Sequence, residues 1–177
     1  QIFARTAAIN FDVEKFFEKW LSDLASEQTP AGEIPCISPA HYSRICLSSA
    51  AWSDAAVIIP WQMYLAYGNL KNLEKAYPMM KKYVDFMASC CEKNAEATDL
   101  DFVHPWKEGF HYGDWLALDQ PDPEDSNGRT NKGLIATAYL AYDLRILIKT
   151  GKLLGQEMSY YEKLYEDTVR FFRTEYM

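Results

Sequence analysis

An all-α fold is predicted by three features of this 177-residue chain. Apolar residues return at intervals of three and four in five separate segments, and capping or turn-forming residues fall between them. No run of β-branched residues alternates with polar ones, so no strand competes with the helices. Residues 1–177 read as a single domain with enough chain to bury its own core. Hydrophobic residues make up 49% and charged residues 24%, a globular balance that excludes disordered and low-complexity classes.

The first helix is expected over 12–26, where Asp12 can cap and Val13, Phe16, Phe17, Trp20, Leu21 and Leu24 share a face. Residues 27–49 lose that rhythm, with Pro30, Gly32, Pro35 and Pro39 marking irregular chain. A second helix opens at Ser53 or Asp54 and stops at Gly68, with a kink or a later start expected at Pro60. Asn69 can cap a third, whose Leu73, Tyr77, Met80, Val84 and Met87 step by four and three, with Pro78 as an interruption. The fourth, from about Asn131 to Thr150, is apolar on more than one side and so is packed on two faces, with Gly151 as its end. The fifth carries Met158, Tyr161, Leu164, Tyr165, Val169 and Phe172.

Residues 92–130 form a long aromatic-rich loop between strong helices, and loops of that length in compact domains tend to be functional. Within it, His111-Tyr112-Gly113-Asp114-Trp115 is the most site-like run. A carboxylate accepts hydrogen bonds from sugar hydroxyls, while an indole face covers the C–H patch of the ring; the competing reading makes Asp114 a cap and Trp115 core. Ala51-Trp52-Ser53-Asp54-Ala55 offers a second aromatic–carboxylate pair, against which stands Asp54 as a plain N-cap worth about 1 kcal/mol. Glu33, Asp54, Glu108, Asp114 and Asp119 are the loop carboxylates open to acid–base work.

Other chemistries find little support. The net charge of −7 offers no basic footprint for nucleic acid and no basic face for an anionic membrane. Ser53, Asp54, Pro60 and Gln62 interrupt the longest apolar stretch, Ala50 to Leu70, which argues against a membrane span. His41, His104 and His111 lack metal-ligand spacing, and Asp119, Asp122, Glu124 and Asp125 lack that of an EF-hand, so no metal and no cofactor is expected. No signal peptide is visible in residues 1–30, and Cys36, Cys46, Cys90 and Cys91 make no disulfide scaffold. A reduced, cytoplasmic setting is the expectation.

The blocks Gln1-Ile2-Phe3-Ala4-Arg5-Thr6-Ala7, Gly32-Glu33-Ile34-Pro35, Trp52-Ser53-Asp54-Ala55, Pro60-Trp61, Tyr67-Gly68-Asn69 and Tyr112-Gly113-Asp114-Trp115-Leu116-Ala117 resemble bacterial α-L-rhamnosidases in residue type, order and spacing. The resemblance covers essentially the whole chain. It implies helical hairpins forming about half of an (α/α)6 barrel, and an inverting hydrolysis of a rhamnose-containing glycoside by two carboxyl groups. It also implies that Trp52 and Trp115 line the rhamnose pocket, with Asp54 and Asp114 beside them. The family's general acid belongs to a motif running directly into the Gln-Ile-Phe-Ala-Arg-Thr block, and its general base lies in a later helical region. The expectation is therefore an interior piece with no catalytic carboxylate of its own: the acid before Gln1, the base after Met177, and exposed apolar faces that promote self-association. The alternatives are a helical-hairpin scaffold that binds another protein and an (α/α)6 glycosidase for a different sugar. Convergence of Trp52, Asp54, Asp114 and Trp115 at one end of the helices separates scaffold from glycosidase.

Overall fold

A computed structural model describes residues 1–40, 48–95, 111–118 and 128–177. Six helices follow in order: α1 (Ala4–Asn10), α2 (Glu14–Glu27), α3 (Ala55–Tyr67), α4 (Leu70–Ala95), α5 (Lys132–Leu153) and α6 (Ser159–Tyr176). Among the described residues there is no strand. Helices α3 and α4 form one hairpin and α5 and α6 another; α4 lies against α5, α2 covers α3 and α4, and α1 packs on α3.

The core is where the two hairpins meet. Val57 and Ile58 of α3, Met80, Tyr83, Val84 and Met87 of α4, and Leu140, Leu144 and Leu147 of α5 pack into one cluster with Leu164 of α6. Helix α5 is buried towards both α4 and α6, as a helix apolar on more than one side must be. At its start, the Asn131 side chain accepts from the N–H groups of Gly133 and Leu134, satisfying two donors that the first turn leaves open. Between α4 and α6, the Tyr161 hydroxyl donates to Asp85 at 2.6 Å.

Several elements differ from the sequence reading for identifiable reasons. Pro60 and Pro78 lie inside α3 and α4, and neither helix breaks there; the packing of both against their neighbours outweighs one lost backbone bond each. Helix α4 runs on to Ala95, four residues into the stretch expected as loop, so 92–130 is too long a span for that loop. The rest of its first part, 96–110, and residues 119–127 lie outside the described residues, and with them Phe102, His104, Trp106, Glu108, Phe110, Asp119, Asp122, Glu124 and Asp125. His41 and Cys46 do so as well. Gly151 does not end α5. It is buried within the helix, and a methyl group there would strike the Met158 thioether, so its smallness serves packing. Cys36 is disulfide-bonded, against the expectation of four reduced thiols; Cys90 and Cys91 are not.

The irregular chain after α2 is fixed by its own turn. Thr29 and Glu33 pair through Thr29 N–H to Glu33 O at 3.0 Å, and Gly32 between them has φ +104°. A side chain at Gly32 would collide with the backbone carbonyl of Lys82 in α4, so this turn can lie on α4 only with glycine there. Gly32→Ala combines a left-handed backbone with a clash against rigid main chain, and is expected to cost about 2–4 kcal/mol. The midpoint of denaturant unfolding checks this, and an unchanged midpoint would show that the turn is not packed as described.

Candidate functional site

Three segments that are distant in sequence meet beside the N-terminus of α3: the turn at Ile34–Cys36, the chain 48–54, and the loop 111–118. Three buried serines join them. The Ser48 hydroxyl accepts from Ile34 N–H and donates to Ile34 O, each at 2.9 Å. The Ser53 hydroxyl also donates to Ile34 O, at 2.8 Å, and accepts from Ser49 N–H at 3.2 Å. Ser49 in turn accepts from Tyr112 N–H at 3.1 Å, while Ala50 N–H donates to His111 Nδ1 at 3.2 Å. A ring nitrogen that accepts is unprotonated, so the neutral His111 carries its proton on Nε2. Being 3% exposed, His111 secures the loop rather than facing a ligand.

This framework sets an aromatic row. Trp52 and Tyr112 lie with ring centroids 4.7 Å apart and planes at 33°, and Trp115 meets Tyr112 edge-on at 5.1 Å. Trp52 and Trp115 line a cavity of about 770 Å³, together with Phe17 and Trp20 of α2, Asp114, and Tyr139 of α5. Trp115 is 40% exposed, so a large part of its indole surface is open to a ligand. Each tryptophan adjoins a non-glycine residue with left-handed backbone, Ala51 at φ +73° and Leu116 at φ +62°. Strain of this kind persists only where surrounding bonds hold it.

For Leu116 the holding bonds run through Asp114. Its carbonyl accepts from Gly128 N–H at 2.9 Å and from Ala117 N–H at 3.3 Å, and its exposed carboxylate accepts from the Thr130 hydroxyl at 3.2 Å. A methyl group on Gly128 would lie 2.6 Å from Ala117 Cβ and 2.8 Å from Asp114 O, so the two chains touch here because that methyl is missing. For Ala51 the holding group is Asp54, whose Oδ2 accepts Ala51 N–H at 2.7 Å. The Gln1 side-chain amide donates to Ala51 O from the other side.

The sequence-predicted residues therefore divide. Trp52, Asp114 and Trp115 converge on one cavity. Asp54 does not line it: the side chain is completely buried, its carboxylate turned beneath the cavity wall. It occupies the N-cap position of α3 yet makes no cap bond: its Oδ2 accepts Ala51 N–H, and its Oδ1 is buried beside the Asp143 carboxyl of α5 with no other partner among the described residues. Burial pushes the Asp54 carboxyl up to about 6 even though the bonds from Asp143 and Ala51 favour its ionised form. Burial also raises Asp143 well above the carboxylate range, and the adjacent Asp54 raises it further. Glu33 is half-buried outside the cavity and holds the Thr29 turn.

The sequence does not mark Tyr112 or Asp143 as site residues in their own right. Tyr112 belongs to the His111–Trp115 run, but nothing local in the sequence shows that its ring touches both Trp52 and Trp115. Asp143 had a signal: it is a carboxylate flanked by Leu140, Leu144 and Leu147 on the buried side of α5. Among the described residues there is no group of three or more metal-ligating side chains, and no helix is long and apolar enough to cross a membrane.

Residues 1–177 match the family model described as the bacterial alpha-L-rhamnosidase 6 hairpin glycosidase domain. An alpha-L-rhamnosidase of Formosa agariphila is 34% identical over 97% of this chain, and one of Streptomyces avermitilis 31% identical over 99%. The matched regions are 17% and 15% of those proteins, so the chain spans about one-sixth of their length. The crystal structure of the Streptomyces avermitilis enzyme complexed with L-rhamnose superposes with a TM-score of 0.79 at 29% identity, covering 99% of this chain and 15% of that one. The alpha-L-rhamnosidase from Dictyoglumus thermophilum superposes at 0.82 with 30% identity, covering 100% of this chain and 18% of its own. The hairpins α3/α4 and α5/α6 are thus part of an (α/α)6 barrel, and the chain belongs to the six-hairpin glycosidase domain family of bacterial α-L-rhamnosidases.

Proposed function

We propose that this chain supplies one wall of the sugar pocket of an inverting α-L-rhamnosidase that removes α-L-rhamnose from a glycoside. The observation that carries the reading is the convergence of Trp52, Asp114 and Trp115 on one cavity, in a chain whose relatives are named alpha-L-rhamnosidases. Rhamnose, a 6-deoxy sugar, presents a methyl group and ring C–H bonds that favour an aromatic surface, and hydroxyls that donate to a carboxylate. Trp115 offers the open indole face, Asp114 the exposed carboxylate, and Trp52 the inner wall. Asp54 acts from beneath, through Ala51, rather than by touching the sugar.

In an inverting hydrolysis, one carboxylic acid protonates the leaving oxygen while a second carboxylate activates water on the opposite face of the ring. Neither role is assigned to a residue of this chain; both carboxyl groups belong to the rest of the enzyme. The apolar side chains of Ile9 and Phe11 are exposed outside the cavity, a surface that further helices of the whole enzyme would cover. Taken alone, the 177-residue chain is expected to self-associate and to release nothing from an aryl α-L-rhamnoside. Turnover by pure material would overturn the assignment of the catalytic pair to other parts of the enzyme.

In the intact protein, Trp115→Ala is expected to lower kcat/KM for an aryl α-L-rhamnoside by about 10–100-fold, the equivalent of about 1.5–3 kcal/mol of lost aromatic contact. Wild-type-like kinetics would remove Trp115 from the pocket, and hydrolysis of a different aryl glycoside in preference would reassign the sugar. Gly128→Ala forces Asp114 and Ala117 away from residue 128, so it should raise KM by about 10-fold while costing only about 1–2 kcal/mol of stability. Steady-state kinetics alongside thermal unfolding of the same sample separates the two effects.

A further inference from the structure

The pair formed by Asp54 and Asp143 lies outside the cavity, and the mechanism above gives Asp143 no task. Both side chains are at 0% exposure. Among the described residues no donor reaches Asp54 Oδ1 or either oxygen of Asp143 apart from the contact between the two carboxyl groups. Among the described residues no lysine, arginine or histidine pairs with either. Two ionised carboxylates in contact, out of water and without a cation, carry a cost that a single retained proton removes. Backbone chemistry decides which group keeps it. Asp54 accepts Ala51 N–H at 2.7 Å, which favours the anion, whereas Asp143 receives no donor from the backbone.

We propose that Asp143 is a positioning residue for the cavity wall: a neutral carboxylic acid whose O–H donates to Asp54, so that the Asp54 carboxylate holds Ala51 in its left-handed turn and Trp52 against Tyr112. The chain of contacts is continuous, from α5 through the N-terminus of α3 to the aromatic row. The titratable groups around the pair are phenols. Tyr83 of α4 is completely buried and faces both carboxyls, and Tyr139 of α5 feels both from the cavity side. Each phenol is pushed upward by burial first and by the carboxyls second, so each is neutral when Asp54 is charged. Cys90 lies beyond Tyr83 and Tyr142 beyond Tyr139, and no titratable group of α3 or α6 acts on either carboxyl.

The folded pair holds its proton above the ordinary aspartate value, so the stability it contributes is complete below that value. It is lost as pH rises through the raised value, when Asp143 must ionise beside Asp54. Asp143→Asn supplies a permanent amide donor of nearly the same shape and removes the need for the proton. Asp143→Ala removes the donor altogether.

The test uses the intact protein and two independent readouts; only the kinetic one rests on the rhamnosidase reading. In infrared spectra near neutral pH, the carbonyl band of a buried protonated carboxylic acid should be present in the parent and missing in Asp143→Asn. In kinetics, the alkaline fall of kcat/KM on an aryl α-L-rhamnoside should move up by about one pH unit or more in Asp143→Asn. Asp143→Ala should raise KM by about 10-fold at every pH. If Asp143→Ala does not fold, Asp143→Asn and the parent spectrum carry the test. A parent without the band, or parent and Asp143→Asn profiles that superimpose, overturns the proposal. If the band titrates as described and no rhamnoside is turned over, the substrate reading fails and the positioning role stands.

Discussion

The site depends on one hydrogen bond, the 2.7 Å contact from Ala51 N–H to the buried carboxylate of Asp54. Ala51 has a backbone conformation that alanine disfavours, and the residue after it is Trp52, one of the three tryptophans of the cavity. Without an acceptor at that point the turn would relax toward a commoner conformation and Trp52 would leave Tyr112. An anion is the strongest acceptor available, and full burial strengthens its bond by keeping water away. The same burial makes the anion costly, which is why a second carboxyl with a proton to share stands behind it.

Seen this way, the helices are arranged in the service of a few loop residues. Helix α4 presents a carbonyl surface on which the Gly32 turn can lie only without a side chain, and that turn delivers Ile34 to the serines. Helix α5 brings Asp143 under α3 and Tyr139 to the cavity. The loop 111–118 is attached through His111 and Tyr112 N–H, and it carries Asp114 and Trp115 to the rim. Loops on a rigid support are where binding residues usually stand, and here each supporting contact can be named.

Much of this was legible in the sequence, and the remainder was hidden for physical reasons. The cores of α3 to α6 followed from periodic residues such as Leu73, Met80 and Met87, because burial on one face is a local signal. Helix α1 gave no such signal: it has seven residues, no side-chain cap, and an exposed Ile9. Gly151 read as a stop because glycine commonly ends helices, and its close approach to Met158 depends on how α6 returns. Trp52, Asp114 and Trp115 were found by residue type and by resemblance. Asp54 was found too, but its partner is on a different helix, and a contact between distant segments leaves no local pattern. A carboxylate amid Leu140, Leu144 and Leu147 nevertheless marks a place where something unusual must be satisfied.

The carbonyl of Ile34 carries a consequence for how this site can change over time. It accepts from two buried hydroxyls, Ser48 and Ser53, which reach it from opposite ends of the 48–54 segment. Losing either serine leaves the oxygen satisfied by the other but strands a buried donor, Ile34 N–H when Ser48 goes and Ser49 N–H when Ser53 goes, while losing both also leaves the acceptor bare. The two positions are therefore coupled in their tolerance. Neither serine can therefore drift freely, and the second loss costs more than the first because it also bares the shared acceptor.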